Sequence, residues 1–256
     1  MKNLRRVQNK LLRIALPRIF RPRALERLIR LGSVYGGWTV PLGKIDADSI
    51  CYSFGGGEDL TFDLELALAC GCTVHVFDPT PRAQEHFDVL CCAAERQEVP
   101  GGSAFSIYQK KHLDAVDKVV FHSFGIWNDD TVVDFYQPVN SRHVSHSLTN
   151  IQRTKSGFRG QVKRLKTIKR ELGHDKVHFL KADIEGAEFD IIYDMLSTEE
   201  MPNVLAVEFD AVSHGGLEEI LTLLRTVRVL KNRKWLLSDI DDWNYLFIRN
   251  GMDNLE

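Results

Sequence analysis

Two short apolar runs end in residues suited to hold a ligand. Residues 50–57 read Ile-Cys-Tyr-Ser-Phe-Gly-Gly-Gly, and residues 74–80 read Val-His-Val-Phe-Asp-Pro-Thr. Glycines let the backbone approach a bound molecule, and the amides at the start of the following helix face it. An acid at the end of the next strand is placed to accept hydrogen bonds from two ribose hydroxyls. This pairing suits a nucleoside-containing cofactor held by Phe54, Gly55, Gly56, Gly57, Glu58, Asp78 and Pro79. Glu58 also suits a helix N-terminus through the helix dipole. The G-x-G-x-x-G spacing of a dinucleotide site would need glycine at position 60, where Leu60 stands, which counts against NAD.

Further positions carry polar chemistry. Asp183 and Glu185 stand at the end of an apolar run, either as acids at a helix start or as carboxylates facing a reacting centre, and Lys181 alternates with Asp183 so that the two can pair. Gly125, in Phe124-Gly-Ile-Trp127, follows a third run; Trp127 reads as core more readily than as a stacking wall. His214 is the candidate base, because histidine titrates near neutral pH and the loop after residue 209 opens toward the same edge. His143 and His146 read as surface residues. These histidines lack close ligand spacing, and carboxylates at 183 and 185 are not an evident pair, so no metal is expected.

The elements that position these residues follow from periodicity. Strands are predicted over 49–54, 73–77, 118–123, 131–136, 176–182, 204–209, 235–238 and 245–248, the last two as a hairpin. Helices are predicted over 58–70, 82–96, 161–172, 187–196 and 216–229. Residues 58–70 alternate as a strand would, but their Leu, Glu and Ala content and early acids favour a helix. Residues 137–160 form a polar stretch too long for a simple connector. Alternating strands and helices imply a mostly parallel α/β sheet, whose ligands bind beyond the carboxyl ends of the strands. Gly55–Gly57, Asp78, Gly125, Asp183 and Asp210 all fall just after a predicted strand.

Of 256 residues, 44% are hydrophobic, enough for a substantial core, and the net charge of −2 argues against a nucleic-acid partner. The charge is unevenly spread. Residues 1–31 hold ten Lys/Arg against Glu26 alone, a net of +9, which leaves −11 for the rest. Residues 4–31 read as two basic helices separated by Pro17 and Pro22, with a connecting loop over 33–49. Residues 1–45 are therefore read as a basic helical extension that packs on a domain spanning 46–256 or touches anionic membrane. No run reaches the roughly 18 apolar residues of a membrane span, and the N-terminus lacks the apolar core of a signal peptide. Five cysteines, none beyond Cys92, read as buried hydrophobes in a reducing compartment. The expected location is cytoplasmic or membrane-peripheral.

Three motifs together resemble a known family: Phe54-Gly-Gly-Gly-Glu-Asp59, His75-Val-Phe-Asp-Pro-Thr80 and Leu180-Lys-Ala-Asp-Ile-Glu-Gly-Ala-Glu188. They are similar to those of the FkbM-type S-adenosylmethionine-dependent methyltransferases over about residues 48–210, and Val207-Glu-Phe209 resembles that family's next strand. The sequence departs at Asp210, where many members carry histidine. The resemblance implies a Rossmann-like class I methyltransferase fold, a mostly parallel seven-stranded sheet ending in an antiparallel hairpin. It further implies S-adenosylmethionine as cofactor and O-methylation of a sugar or other small-molecule hydroxyl. On this reading Asp183 also touches the cofactor. The alternative is a methyltransferase-like domain without catalysis that serves as an adaptor or ligand sensor.

Overall fold

The computed structural model describes residues 2–24, 26–136 and 156–251. In chain order the strands are β1 (Leu28–Leu31), β2 (Trp38–Pro41), β3 (Ile50–Phe54), β4 (Thr73–Phe77), β5 (Val119–His122), β6 (Gly125–Ile126), β7 (Thr131–Tyr136), β8 (Ser156–Lys163), β9 (Phe179–Ala182), β10 (Val204–Glu208), β11 (Trp235–Asp241) and β12 (Asn244–Arg249). The helices are α1 (Lys2–Phe20), α2 (Thr61–Cys70), α3 (Pro81–Arg96), α4 (Lys110–Leu113), α5 (Leu165–Leu172), α6 (Glu188–Thr198), α7 (Asp210–His214) and α8 (Leu217–Asn232).

Seven strands form the main sheet in the order β11-β12-β10-β9-β3-β4-β5. The pairs β10–β9, β9–β3, β3–β4 and β4–β5 are parallel, and β12 runs antiparallel to both of its neighbours. Alternate residues of β3 feed two cores: Tyr52 and Phe54 pack on one face with α6 and α8, Cys51 on the other with α2 and α3. Burial on both faces explains the near-continuous apolar runs that made these strands legible. The chain leaves β3 toward β4 and β5 and later returns through β9 to β10. The switch point therefore lies between β3 and β9, where such sheets bind ligands.

The N-terminal region differs from the two-helix expectation. Helix α1 continues through Pro17 to Phe20; Arg21 N donates to Pro17 O at 2.9 Å, and Arg21 ends the helix in the left-handed region at φ 51°. Burial of Leu16 and Phe20 holds the turn that proline weakens. The second expected helix and the loop after it are instead the antiparallel hairpin β1–β2, pairing Leu28 with Pro41 and Leu31 with Trp38. Leu31, Trp38 and Val40 are buried in the core, so tertiary packing overrides the helix propensity of this leucine- and arginine-rich stretch. Residues 1–45 are thus not a purely helical extension.

A small sheet, β6-β8-β7, sits beside the large one. Strand β8 occupies the front of the helix expected over 161–172, and α5 begins only at Leu165. Cross-strand pairing with β7, including Phe135 stacked on Phe158 at 4.9 Å, and full burial of Val162 account for the strand. His143 and His146 lie outside the described residues.

Candidate functional site

A cleft of about 530 Å³ opens beyond the carboxyl ends of β3, β4 and β9. Every residue expected to hold a cofactor lines it: Phe54, Gly55, Gly56, Gly57, Glu58, Asp78, Pro79, Gly125 and Asp183. The parallel register explains the convergence, since Phe54 pairs with both Phe77 and Ala182, and the residue after each strand emerges at the same height.

The three glycines play different parts. A Cβ on Gly55 would lie 1.8 Å from the Asp183 carbonyl oxygen, and Gly55 has φ +82°. The neighbouring strand end, rather than a ligand, therefore excludes a side chain there. A Cβ on Gly56 would meet Val76 and Leu60 side chains at 2.6 and 2.9 Å. Gly57, at φ +56°, has nothing within 4 Å of such an atom and is the glycine that leaves room beside the cleft. The helix-start amides expected to face the ligand are partly engaged: Leu60 N donates to Tyr108 Oη at 2.9 Å and Thr61 N to Asp59 Oδ1 at 3.1 Å. Glu58 forms an ion pair with Arg82 at 2.7 Å.

Asp78 is 5% exposed. Its Oδ2 accepts from Gly57 N at 2.9 Å, and its Oδ1 from Thr80 N and Oγ1 at 2.8 and 2.5 Å. Burial pushes its carboxyl up, and these bonds work against that shift. Three of a carboxylate's roughly four acceptor positions are used, leaving one on Oδ2. Asp78 thus ties the glycine loop to the start of α3 while keeping acceptor capacity. Beyond it, Pro79, Ile107, Ile126 and Phe135 form an apolar wall. Trp127 is not part of that wall.

The opposite end is acidic. Asp183, Glu208 and Asp210 each place a carboxylate oxygen within 4.8 Å of the others. Glu185 is not part of this group; the partners of Asp183 are Glu208 and Asp210, which the sequence did not pair with it. Three oxygens at this separation suit one cation or shared protons. Burial pushes the carboxyls of Glu208 and Asp210 well above the usual carboxylate range, helped by repulsion from Asp183 and Glu185. Glu185 sits in the left-handed region at φ 53°, a conformation costly for a side-chain-bearing residue, and lines the cleft. Lys181 is 5% exposed; its Nζ donates to Gly55 O at 2.8 Å and lies 3.8 Å from Asp183 Oδ2. The predicted Lys181–Asp183 pair therefore exists, and the lysine also fixes the glycine loop.

His214 ends α7, is exposed, and does not line the cleft; its Nδ1 lies 2.8 Å from Ser213 Oγ. Sequence reasoning missed the rim formed by Ser33, Val34, Tyr35 and Gly36 in the β1–β2 turn. The only hint was Gly36-Gly37, which marks a turn but does not say what the turn covers.

Residues 51–233 match the model of the methyltransferase FkbM domain. The chain belongs to the FkbM methyltransferase family. The matched span holds the glycine loop, Asp78 and all three clustered carboxylates, and leaves out α1 and both terminal hairpins. Among solved structures, the methyltransferase FkbM from Methylobacillus flagellatus KT is similar over 79% of this chain at 15% identity and a TM-score of 0.45. This chain covers 44% of that one, under half its length. No curated protein matches the chain. Membership in the family supports a methyltransferase activity.

Proposed function

We propose that the protein transfers a methyl group from S-adenosylmethionine to a hydroxyl of a sugar or other small molecule. The observation that carries this reading is the polarity of the cleft beyond β3, β4 and β9. Asp78 and the open backbone of Gly57 stand beside an apolar wall at one end, and Asp183 and Glu185 at the other. A nucleoside suits the first end, because Asp78 Oδ2 keeps an acceptor for a ribose hydroxyl and Ile126 and Phe135 offer a flat apolar contact for a base. A sulfonium cation suits the second, because carboxylates attract it. The mixed seven-stranded sheet, with β12 antiparallel to both of its neighbours, supports a class I methyltransferase fold.

The cofactor supplies a methyl carbon already activated by the sulfonium. The chain must then align the acceptor oxygen with that carbon and take up its proton. Asp183 is the member of the carboxylate cluster that lines the cleft, and it faces the Lys181 cation, so it is assigned to orient the acceptor hydroxyl and accept its proton. Lys181 fixes the Asp183 carboxylate, and through Gly55 O it couples the acid to the glycine loop. Burial and mutual repulsion favour the neutral forms of Glu208 and Asp210, which limits the negative charge of the cluster.

Calorimetry with S-adenosylmethionine, followed by a screen of hydroxylated acceptors with labelled methyl, tests the proposal. Asp78→Ala should weaken the cofactor roughly ten- to hundredfold, since a hydrogen bond to a charged group is worth about 1.5–3 kcal/mol. Unchanged affinity in a folded variant would remove Asp78 from the site.

A further inference from the structure

Helix α1 has two apolar faces. Leu12, Leu16 and Phe20 recur on one and pack against the core. The same face is tied down by Asn9 Nδ2, which donates to Ser213 O at 2.8 Å, and by the Arg13–Asp242 ion pair. On the opposite face Val7, Leu11, Ile14 and Arg18 recur at helical spacing. Val7 is 57%, Leu11 63% and Ile14 47% exposed. A helix that only covers a core keeps polar residues outward; this one carries a second apolar stripe. Exposed Arg6 and Lys10 lie beside it, and residues 2–23 contain eight Lys/Arg and no acid.

At the carboxyl end of α1 lies a second cleft, of about 340 Å³, lined by Phe20, Arg21, Arg23, Lys231, Lys234 and Trp235 among others. Four cations face it, and no carboxylate is among its lining residues. Lys231 donates to Phe20 O at 2.7 Å, and burial together with neighbouring Arg23 pushes its ammonium down. Repulsion among these cations is what a bound phosphate would relieve.

We propose that α1 and this basic cleft dock the protein on an anionic phospholipid surface. The Val7–Leu11–Ile14 stripe enters the boundary between headgroups and acyl chains, the flanking cations meet the surface charge, and the cleft takes a phosphate headgroup. Nucleic acid would satisfy the charge but offers nothing to bury three aliphatic side chains. The −11 charge of the remaining chain repels an anionic surface elsewhere and so orients the contact.

Flotation of the full chain with vesicles of phosphatidylcholine alone, or mixed with phosphatidylserine, tests this. Binding should require the anionic lipid. It should weaken as salt rises from about 0.1 to 1 M, which shortens the screening length from about 10 to about 3 Å. The paired changes Leu11→Glu with Ile14→Glu, and Arg21→Glu with Lys234→Glu, should each reduce binding about tenfold or more. Hydrogen exchange in α1 of the unaltered protein should slow when anionic vesicles are added, a readout that needs no variant. Failure of the unaltered chain to bind these vesicles overturns the proposal. So does binding of duplex DNA as tightly as vesicles with no loss in the Leu11→Glu, Ile14→Glu protein, or unchanged vesicle binding by both paired variants.

Discussion

At the scale of single residues, Asp183 separates a chemical role from a capping one. It is held by Lys181 at 3.8 Å, stands among acids, and precedes α6 by several residues, so it is not the cap of that helix. An acid serving only a helix dipole contributes about 0.3–1 kcal/mol. Asp183→Asn keeps shape and hydrogen-bonding capacity but loses the proton acceptor. We expect kcat to fall by at least about a hundredfold, the scale of a general base, with Tm nearly unchanged. A variant that melts earlier but turns over normally would return Asp183 to a structural role. His214, the base expected from the sequence, is exposed and does not line the cleft.

At the scale of elements, close packing of strand ends sets which glycine matters and why. Gly55 is pinned by the backbone of Asp183, so Gly55→Ala should push β3 and β9 apart, lowering Tm and cofactor affinity together. Gly57→Ala meets open space and pays only the left-handed penalty of about 1–2 kcal/mol. It should fold and lose affinity through intrusion into the cleft. Equal Tm losses in the two variants, read by scanning calorimetry, would contradict this division. The same scale explains what the sequence disclosed. Doubly buried strands such as β3, β4 and β10 announce themselves by composition, and their C-terminal residues then mark the ligand edge without further information. Glu208 and Asp210 were hidden as partners of Asp183 because their proximity depends on the parallel register of β9 and β10, which no local spacing encodes. The hairpin β1–β2 was hidden for a related reason: its leucines and arginines favour a helix locally, and only the burial of Leu31 and Trp38 against distant strands reverses that preference. The cleft rim at Val34 and Tyr35, exposed by 98% and 88%, followed that hairpin out of sight.

At the scale of the whole molecule, buried acids tie stability to pH. Glu188, fully buried at the start of α6, accepts from Gly186 N at 2.7 Å through Oε1, while Oε2 has no partner. Burial pushes its carboxyl up to about 7, and does the same to Asp63, up to about 6. In the unfolded chain both titrate near 4. Between those values the folded state holds protons that the unfolded state has released, so stability is greatest on the acid side of this window and falls as pH rises through it. Histidine opposes the trend at lower pH. Burial pushes His75 down to about 4, so acidification from about 6.5 favours the unfolded chain, which binds the proton the folded one refuses. Stability should therefore peak on the weakly acidic side and decline toward alkaline pH. Glu188→Gln removes one source of that decline while keeping the acceptor for Gly186. Urea unfolding at pH 5 and pH 8 should show the difference between variant and parent shift in the variant's favour by up to about 3 kcal/mol, the free energy of a shift from near 4.5 to about 7. A difference that stays constant across the two conditions would mean that Glu188 is already charged in the folded protein, with its negative charge met by groups other than Gly186.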